Sequence, residues 1–382
     1  MKIFVTAGEP SGDRLGAALI AGLRALVPDA EFRGVAGPLM QGEGMQSLFP
    51  MDELSVMGIA EVLPKYRHLM RRINETAQAA VDWRPDVMIT IDSPDFSLRV
   101  AKRVRAASNI RTVHYVAPTV WAWRPERAEK MAAHVDHVLA LFPFEPPFMA
   151  AAGMDCDFVG HPIVTEPLAT PDEIATFKAA HLGQAFGLLT VLPGSRKGEV
   201  ERLIPVFSQV LKDARLRDMQ IVLPTLPNLA DTVRKMARDL PGEPTVLTGE
   251  GQGADQAAHA RRVALAASDL ALAASGTVSL ELAAARTPMV IAYDMNWISR
   301  AIIKRKLLID TVTLVNLVSE TRAVPEYIFA DCQPPAIADA LVAIRADPSA
   351  QTAAMELTMQ RLGEGGDPPG LRAARAVLDR LD

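Results

Sequence analysis

Short apolar runs recur along nearly the whole chain, each stopped by a turn rich in glycine, proline or serine and followed by a longer amphipathic stretch. This alternation restricts the fold more than any other feature. Strands are expected at 2–7, 31–35, 87–91, 112–116 and 137–140, with helices at 13–26, 69–83, 98–108 and 124–134. Short apolar runs alternating with longer amphipathic stretches are the pattern of βα units around a parallel sheet. A short strand at 157–159 closes on Gly160-His161-Pro162. Three prolines then fall within 162–171, and a linker is placed there. The alternation restarts with strands at 188–192, 220–224, 245–247, 270–273 and 288–293 and helices at 199–214, 230–239, 254–267 and 278–286. The expected fold class is therefore α/β, with two Rossmann-like doubly wound domains facing a central cleft. The domains are placed at 1–165 and 166–350. A helical tail, 351–382, is expected to pack back on the first domain or on a partner chain; a Gly/Pro break at 363–370 sets off its last helix, 371–381.

With 382 residues, nearly half of them apolar, the chain has material for two cores. Its net charge of -5 provides no basic field for nucleic acid. Cys156 and Cys332 form neither a disulfide framework nor a zinc spacing, and the seven histidines show no metal-ligand pattern, so neither a metal nor a cofactor is expected. The chain opens directly on a strand, without a charged and apolar leader, and lacks an apolar run long enough to span a bilayer. A cytoplasmic enzyme is the expectation.

In open parallel sheets ligands sit at the carboxyl ends of the strands. Ile91-Asp92-Ser93-Pro94-Asp95-Phe96 and Thr119-Val120-Trp121-Ala122-Trp123-Arg124 each follow such an end. Asp92 is the first choice for a general base and Asp95 its rival, although Asp95 could equally cap a helix. Trp121 and Trp123 read as wall or as sugar platform, His114 as a core residue, and His161 as a ligand contact. Gly8-Glu9-Pro10-Ser11-Gly12-Asp13 joins the first strand to the first helix. Gly8, Glu9, Ser11, Gly12 and Asp13 could shape a ligand turn or simply cap the helix. Gly194-Ser195-Arg196-Lys197 repeats the arrangement with two cations, which suits a diphosphate. Ser275-Gly276-Thr277 is a third such turn. Glu281, about one helical turn later, could hold ribose hydroxyls or serve as a helix-start carboxylate. Two stretches mix apolar and basic residues as an interfacial helix would: Leu63, Leu69, Met70 and Ile73 in one, Trp297, Ile298 and Ile302 in the other.

Taken in order, Ala7–Asp13, Gly34-Val35-Ala36-Gly37-Pro38, Val56-Met57-Gly58, Ile91–Phe96, Tyr115–Arg124, Pro143-Phe144-Glu145, Phe158–Pro162, Leu192–Arg196, Ala274–Glu281, Asn316-Leu317 and Pro325-Glu326 resemble the lipid-A-disaccharide synthase family over nearly the whole chain. Thr119 stands where serine would be as natural. The resemblance implies a GT-B fold and an inverting glycosyl transfer. The donor would be UDP-2,3-diacylglucosamine, the acceptor 2,3-diacylglucosamine 1-phosphate (lipid X), and the products a β-1′,6-linked tetraacyl disaccharide 1-phosphate and UDP. It implies Asp92 as the catalytic aspartate and Arg196, Glu281 and Asn316 on the nucleotide-sugar side. Acylated substrates also imply a peripheral protein on the inner face of the cytoplasmic membrane. Another GT-B transferase or an epimerase with a different acceptor is the alternative, and a homodimer is left open.

Overall fold

The structure, a computed structural model, describes residues 1–54, 59–295, 300 and 307–381, with side chains from residue 66 onward in the helix that begins at 59. The chain divides into two compact units. One is Met1–Thr165 together with the segment from Gly365; the other is Glu166–Glu364.

The first unit is built on strands β1 Lys2–Ala7, β2 Glu31–Val35, β3 Gln46–Ser47, β4 Val87–Ile91, β5 Arg111–Tyr115, β6 His137–Ala140 and β7 Asp155–Phe158. All pairings are parallel, in the order β3-β2-β1-β4-β5-β6-β7. Helices α1 Pro10–Leu26, α2 Pro38–Gly42, α3 Ile59–Trp83, α4 Pro94–Ala107, α5 Glu126–Ala132 and α6 Pro146–Ala151 connect them. Every residue of β4 is buried. That is why Val87–Ile91 reads as a continuous apolar run and not as an alternating one: helices cover both faces.

The helix Pro369–Leu378 lies against α1. A Cβ on Gly22 would come within 2.6 Å of the Gly370 carbonyl oxygen, and one on Gly370 within 2.4 Å of the Ala18 carbonyl oxygen. Two glycines thus let the helix backbones touch. Arg372 donates to the Phe158 carbonyl at 3.0 Å, and Arg380 grips Asp157 at 2.6 and 3.1 Å. The other partner of Asp157 is the fully buried His137, at 2.8 Å. The stretch expected as one tail, 351–382, is divided. The helix Ser349–Leu362 belongs to the second unit, where Gln351 bonds both main-chain groups of Met289 at 2.8 Å.

The second unit holds β8 Gly187–Leu192, β9 Met219–Pro224, β10 Thr245–Leu247, β11 Leu270–Ala274, β12 Met289–Tyr293 and β13 Glu326–Ile328, all parallel, in the order β10-β9-β8-β11-β12-β13. Helices α7 Pro171–His181, α8 Lys197–Leu211, α9 Ala230–Ala237, α10 Ala254–Ala267 and α11 Val278–Ala284 flank it. The expected strands β1, β2, β4 and β6 are matched residue for residue. The short β3 and β13 and the helices α2, α6 and α7 were not expected from the sequence.

Candidate active site

In each sheet the strand order reverses at one place, and there the loops diverge to leave a crevice. In the first unit this falls at β1 and β4. The turn after β1 and the turn after β4 meet: a Cβ on Gly8 would lie 2.8 Å from the Ser93 Oγ. Asp92 sits directly past β4, half-buried, its main-chain N–H donated to the Tyr115 carbonyl at 2.9 Å. Asp92 and Ser93 are both left-handed, at φ 46° and 44°, and Val116 and Arg124 beyond β5 are also left-handed at 85° and 57°. Each such residue costs roughly 1–2 kcal/mol. Four of the eight non-glycine residues at positive φ among the described residues therefore crowd the ends of two adjacent strands. Glu9, Ser11 and Asp95 are exposed on the same edge, while Gly8 and Gly12 are buried.

Several expected side chains prove to be committed elsewhere. Asp13 is buried, and its two carboxylate oxygens accept the N–H groups of Leu39 and Met40 at 2.9 and 3.0 Å. It caps α2 and offers no charge to a ligand. Trp121 is wall: it is buried, its indole N–H donates to Glu145 at 3.2 Å, and its ring meets Phe144 edge-on at 5.1 Å. Glu145 is itself buried and also accepts the N–H groups of Leu141 and Phe142. Burial pushes its carboxyl up to about 7, against the pull of those bonds. Trp123 is half-buried beneath Arg124, whose guanidinium lies 4.2 Å from the indole, with Arg127 at 5.5 Å. His161 is half-buried, 5.3 Å from the Phe142 ring; its Nδ1 accepts the Ile163 N–H at 3.1 Å. That bond needs Nδ1 unprotonated, in keeping with an imidazole pushed down to about 4 by burial. His114 is a core residue, buried and bonded to Thr90 at 2.8 Å.

In the second unit the order reverses at β8 and β11, and a cleft of about 380 Å³ opens there. Gly194, Ser195, Arg196, Ser275, Gly276, Thr277 and Glu281 all line it, so two separated motifs converge on one place. Pro224, Thr225, Leu226, Arg261 and Glu199 join them without having been expected. Arg261 reaches over from α10 to hold Glu281 at 2.8 Å. Glu199 folds back on its own turn. It accepts the N–H groups of Ser195 and Arg196 at 3.1 and 3.3 Å, the Arg196 guanidinium at 3.3 Å and the Tyr293 hydroxyl at 3.3 Å. The main-chain donors after β8, expected to face a diphosphate, therefore face a carboxylate. The two arginines of the cleft are balanced by two glutamates, and Arg196, with 82% of its side chain exposed, is the cation with most freedom to turn toward an anion. Among the described residues no cluster of His, Cys, Asp or Glu could hold a metal ion.

Asn316 is not in the cleft. It is buried, and its amide bonds both main-chain groups of Val324 at 2.9 and 3.0 Å and the Thr311 hydroxyl at 3.3 Å. It pins a loop. Of the expected membrane contacts, Ile73 is excluded because it is 3% exposed and part of the core. Leu69 and Met70 are half-buried, and Met70 sulfur accepts from Arg99. The side chain of Leu63, and Trp297, Ile298 and Ile302, lie outside the described residues. No described helix is long and apolar enough to cross a membrane.

Solved structures share this architecture at low identity. The UDP-GlcNAc 2-epimerase of Neisseria meningitidis, bound to UDP-GlcNAc, aligns with a TM-score of 0.59 and 12% identity, covering 100% of this chain and 99% of its own. MurG of Acinetobacter baumannii aligns at 0.51 and 15%, covering 100% and 98%. Two parallel doubly wound sheets of this kind define the GT-B fold. A family model described as Lipid-A-disaccharide synthetase matches residues 3–366. The chain is 63% identical to the lipid-A-disaccharide synthase of Ruegeria pomeroyi, over 100% of this chain and 96% of the relative, and 45% identical to that of Rhodospirillum centenum, over 99% and 94%. It belongs to the lipid-A-disaccharide synthase family, glycosyltransferases of lipid A biosynthesis.

Proposed function

We propose that the chain joins UDP-2,3-diacylglucosamine to lipid X in a single inverting displacement, giving the β-1′,6-linked tetraacyl disaccharide 1-phosphate and UDP. Asp92 takes the proton of the acceptor 6-hydroxyl as that oxygen attacks C1 of the donor. The bond from C1 to the diphosphate breaks, and its electron pair leaves on UDP. The observation that carries this reading is Asp92 itself, held in a strained left-handed turn at the carboxyl end of β4 with its N–H tied to β5. Such strain persists where a position must be kept. The cleft of the second unit supports the donor half. Hydroxyls of Ser275 and Thr277 and the released Arg196 can meet diphosphate oxygens, and Glu281, steadied by Arg261, can accept from ribose hydroxyls. The UDP named for several structural neighbours agrees with it.

The test is disaccharide formation from both substrates with EDTA present, comparing wild type with Asp92→Asn. A loss of about a hundredfold or more is expected for a missing general base. An active Asp92→Asn enzyme would move the base to Asp95. Peripheral docking on the inner face of the cytoplasmic membrane belongs to the same proposal, since both sugars carry acyl chains. It rests on the sequence pattern around Trp297 and Ile302 and on Leu69 and Met70. Trp297→Ala with Ile302→Ala should weaken co-sedimentation with anionic vesicles, and unchanged binding would remove that segment from the account.

A further inference from the structure

Several arginines of the first unit sit on carboxylates: Arg72 on Glu53, Arg105 on Asp136, Arg111 on Asp155, Arg380 on Asp157. Arg124 and Arg127 do not. Among the described residues neither guanidinium has a hydrogen bond or an ion pair, although Glu126 and Glu129 share the helix. What holds them is the Trp123 indole, 4.2 Å from Arg124 and 5.5 Å from Arg127. A guanidinium over a ring spends none of its N–H donors on that contact and keeps them for another partner. The platform is fixed from behind. The Trp123 main-chain N–H reaches the Thr119 carbonyl at 3.4 Å, and the indole of neighbouring Trp121 is anchored by buried Glu145. Arg124 is kept at a costly φ of 57°, which a merely solvated cation would not require.

The geometry points to an anion subsite made by Arg124 and Arg127 on Trp123, which recognises the phosphate monoester of the acceptor sugar. It follows β5, the strand beside the one that delivers Asp92, and Asp92 is hydrogen-bonded to the end of β5. The subsite therefore shares the sheet edge with the proposed base. Two arginine forks at one point suit a dianion with three terminal oxygens. This inference rests on the reaction proposed above, in which the acceptor is the substrate that ends in a monoester. It makes that phosphate a selected feature and not a passive one.

The experiment compares lipid X with the same diacylglucosamine lacking the phosphate, in wild type and in Arg124→Gln/Arg127→Gln. A site built around a substrate group rejects the analogue without it, here by about a hundredfold or more in kcat/KM for wild type. The double variant should cut that preference below about tenfold, with the donor KM unchanged. Arg124→Gly, which suits the left-handed backbone, serves as a second variant should the double one fold poorly; it should lower the preference in the same direction. A preference intact in the variants overturns the inference. So does weaker binding to phosphatidylglycerol vesicles with the preference intact, which would assign the pair to bilayer phosphates, or a raised donor KM alone, which would assign it to the diphosphate. A wild type that makes no disaccharide from lipid X removes the proposed reaction, and this inference with it; an active wild type with an intact preference in the variants removes the inference alone.

Discussion

Glu145 and Glu199 both turn their carboxylates on main-chain N–H groups, yet they differ in consequence. Glu199 lies in an open cleft, bonded to a flexible arginine that an incoming anion can draw away. Glu145 has no such outlet. Its three donors come from Trp121, Leu141 and Phe142, and burial still pushes its carboxyl up to about 7, above the ordinary carboxyl range. Folding thus favours the protonated form. The stability this group contributes is full below the unfolded carboxyl range and is lost as pH rises through about 7. The change amounts to up to ~3 kcal/mol between about pH 4.5 and 7. Urea unfolding of wild type and Glu145→Gln across that window should show the advantage of wild type over the variant shrinking toward neutral pH. A constant difference would mean that the carboxyl ionises in the native core without penalty.

At the scale of elements, α2 shows how a side chain can be mistaken. The sequence places Asp13 at the start of α1, beside a glycine turn at a strand end, where a ligand contact is reasonable. Its partners, the N–H groups of Leu39 and Met40, belong to a five-residue helix that periodicity did not show. Asp13→Ala should cost about 1–3 kcal/mol in urea unfolding by leaving those two donors unpaired, Met40 being fully buried. An unchanged stability with a raised acceptor KM would return Asp13 to the substrate. Much of the cleft of the second unit was legible for a local reason: 194–196 and 275–281 each announce a strand, a glycine turn and a helix within a few residues. Arg261 was not legible, because its partner Glu281 is on another helix and only the fold joins them. Asn316 came from the family resemblance alone, and the bonds of its amide to Val324 across a loop are again what only the fold shows. Ile73 was misassigned because an amphipathic pattern shows that a face is apolar but not what covers it.

At the scale of the molecule, the first unit depends on the helix Pro369–Leu378. It covers α1 through the Ala18, Gly22 and Gly370 contact and supplies Arg380 to the Asp157 that holds buried His137. A chain ending at Glu364 should therefore lose hydrogen-exchange protection in β1, β4 and α1 by about tenfold or more, while β8 and β11 keep theirs. Equal protection in both would show that the helix is an ornament of the first unit. During synthesis this same helix reverses the order of events. β8–β13 and their covering helices need nothing made after residue 364, so that unit has all its parts before the first one does. The half that emerges first must wait, incomplete, for the helix Pro369–Leu378.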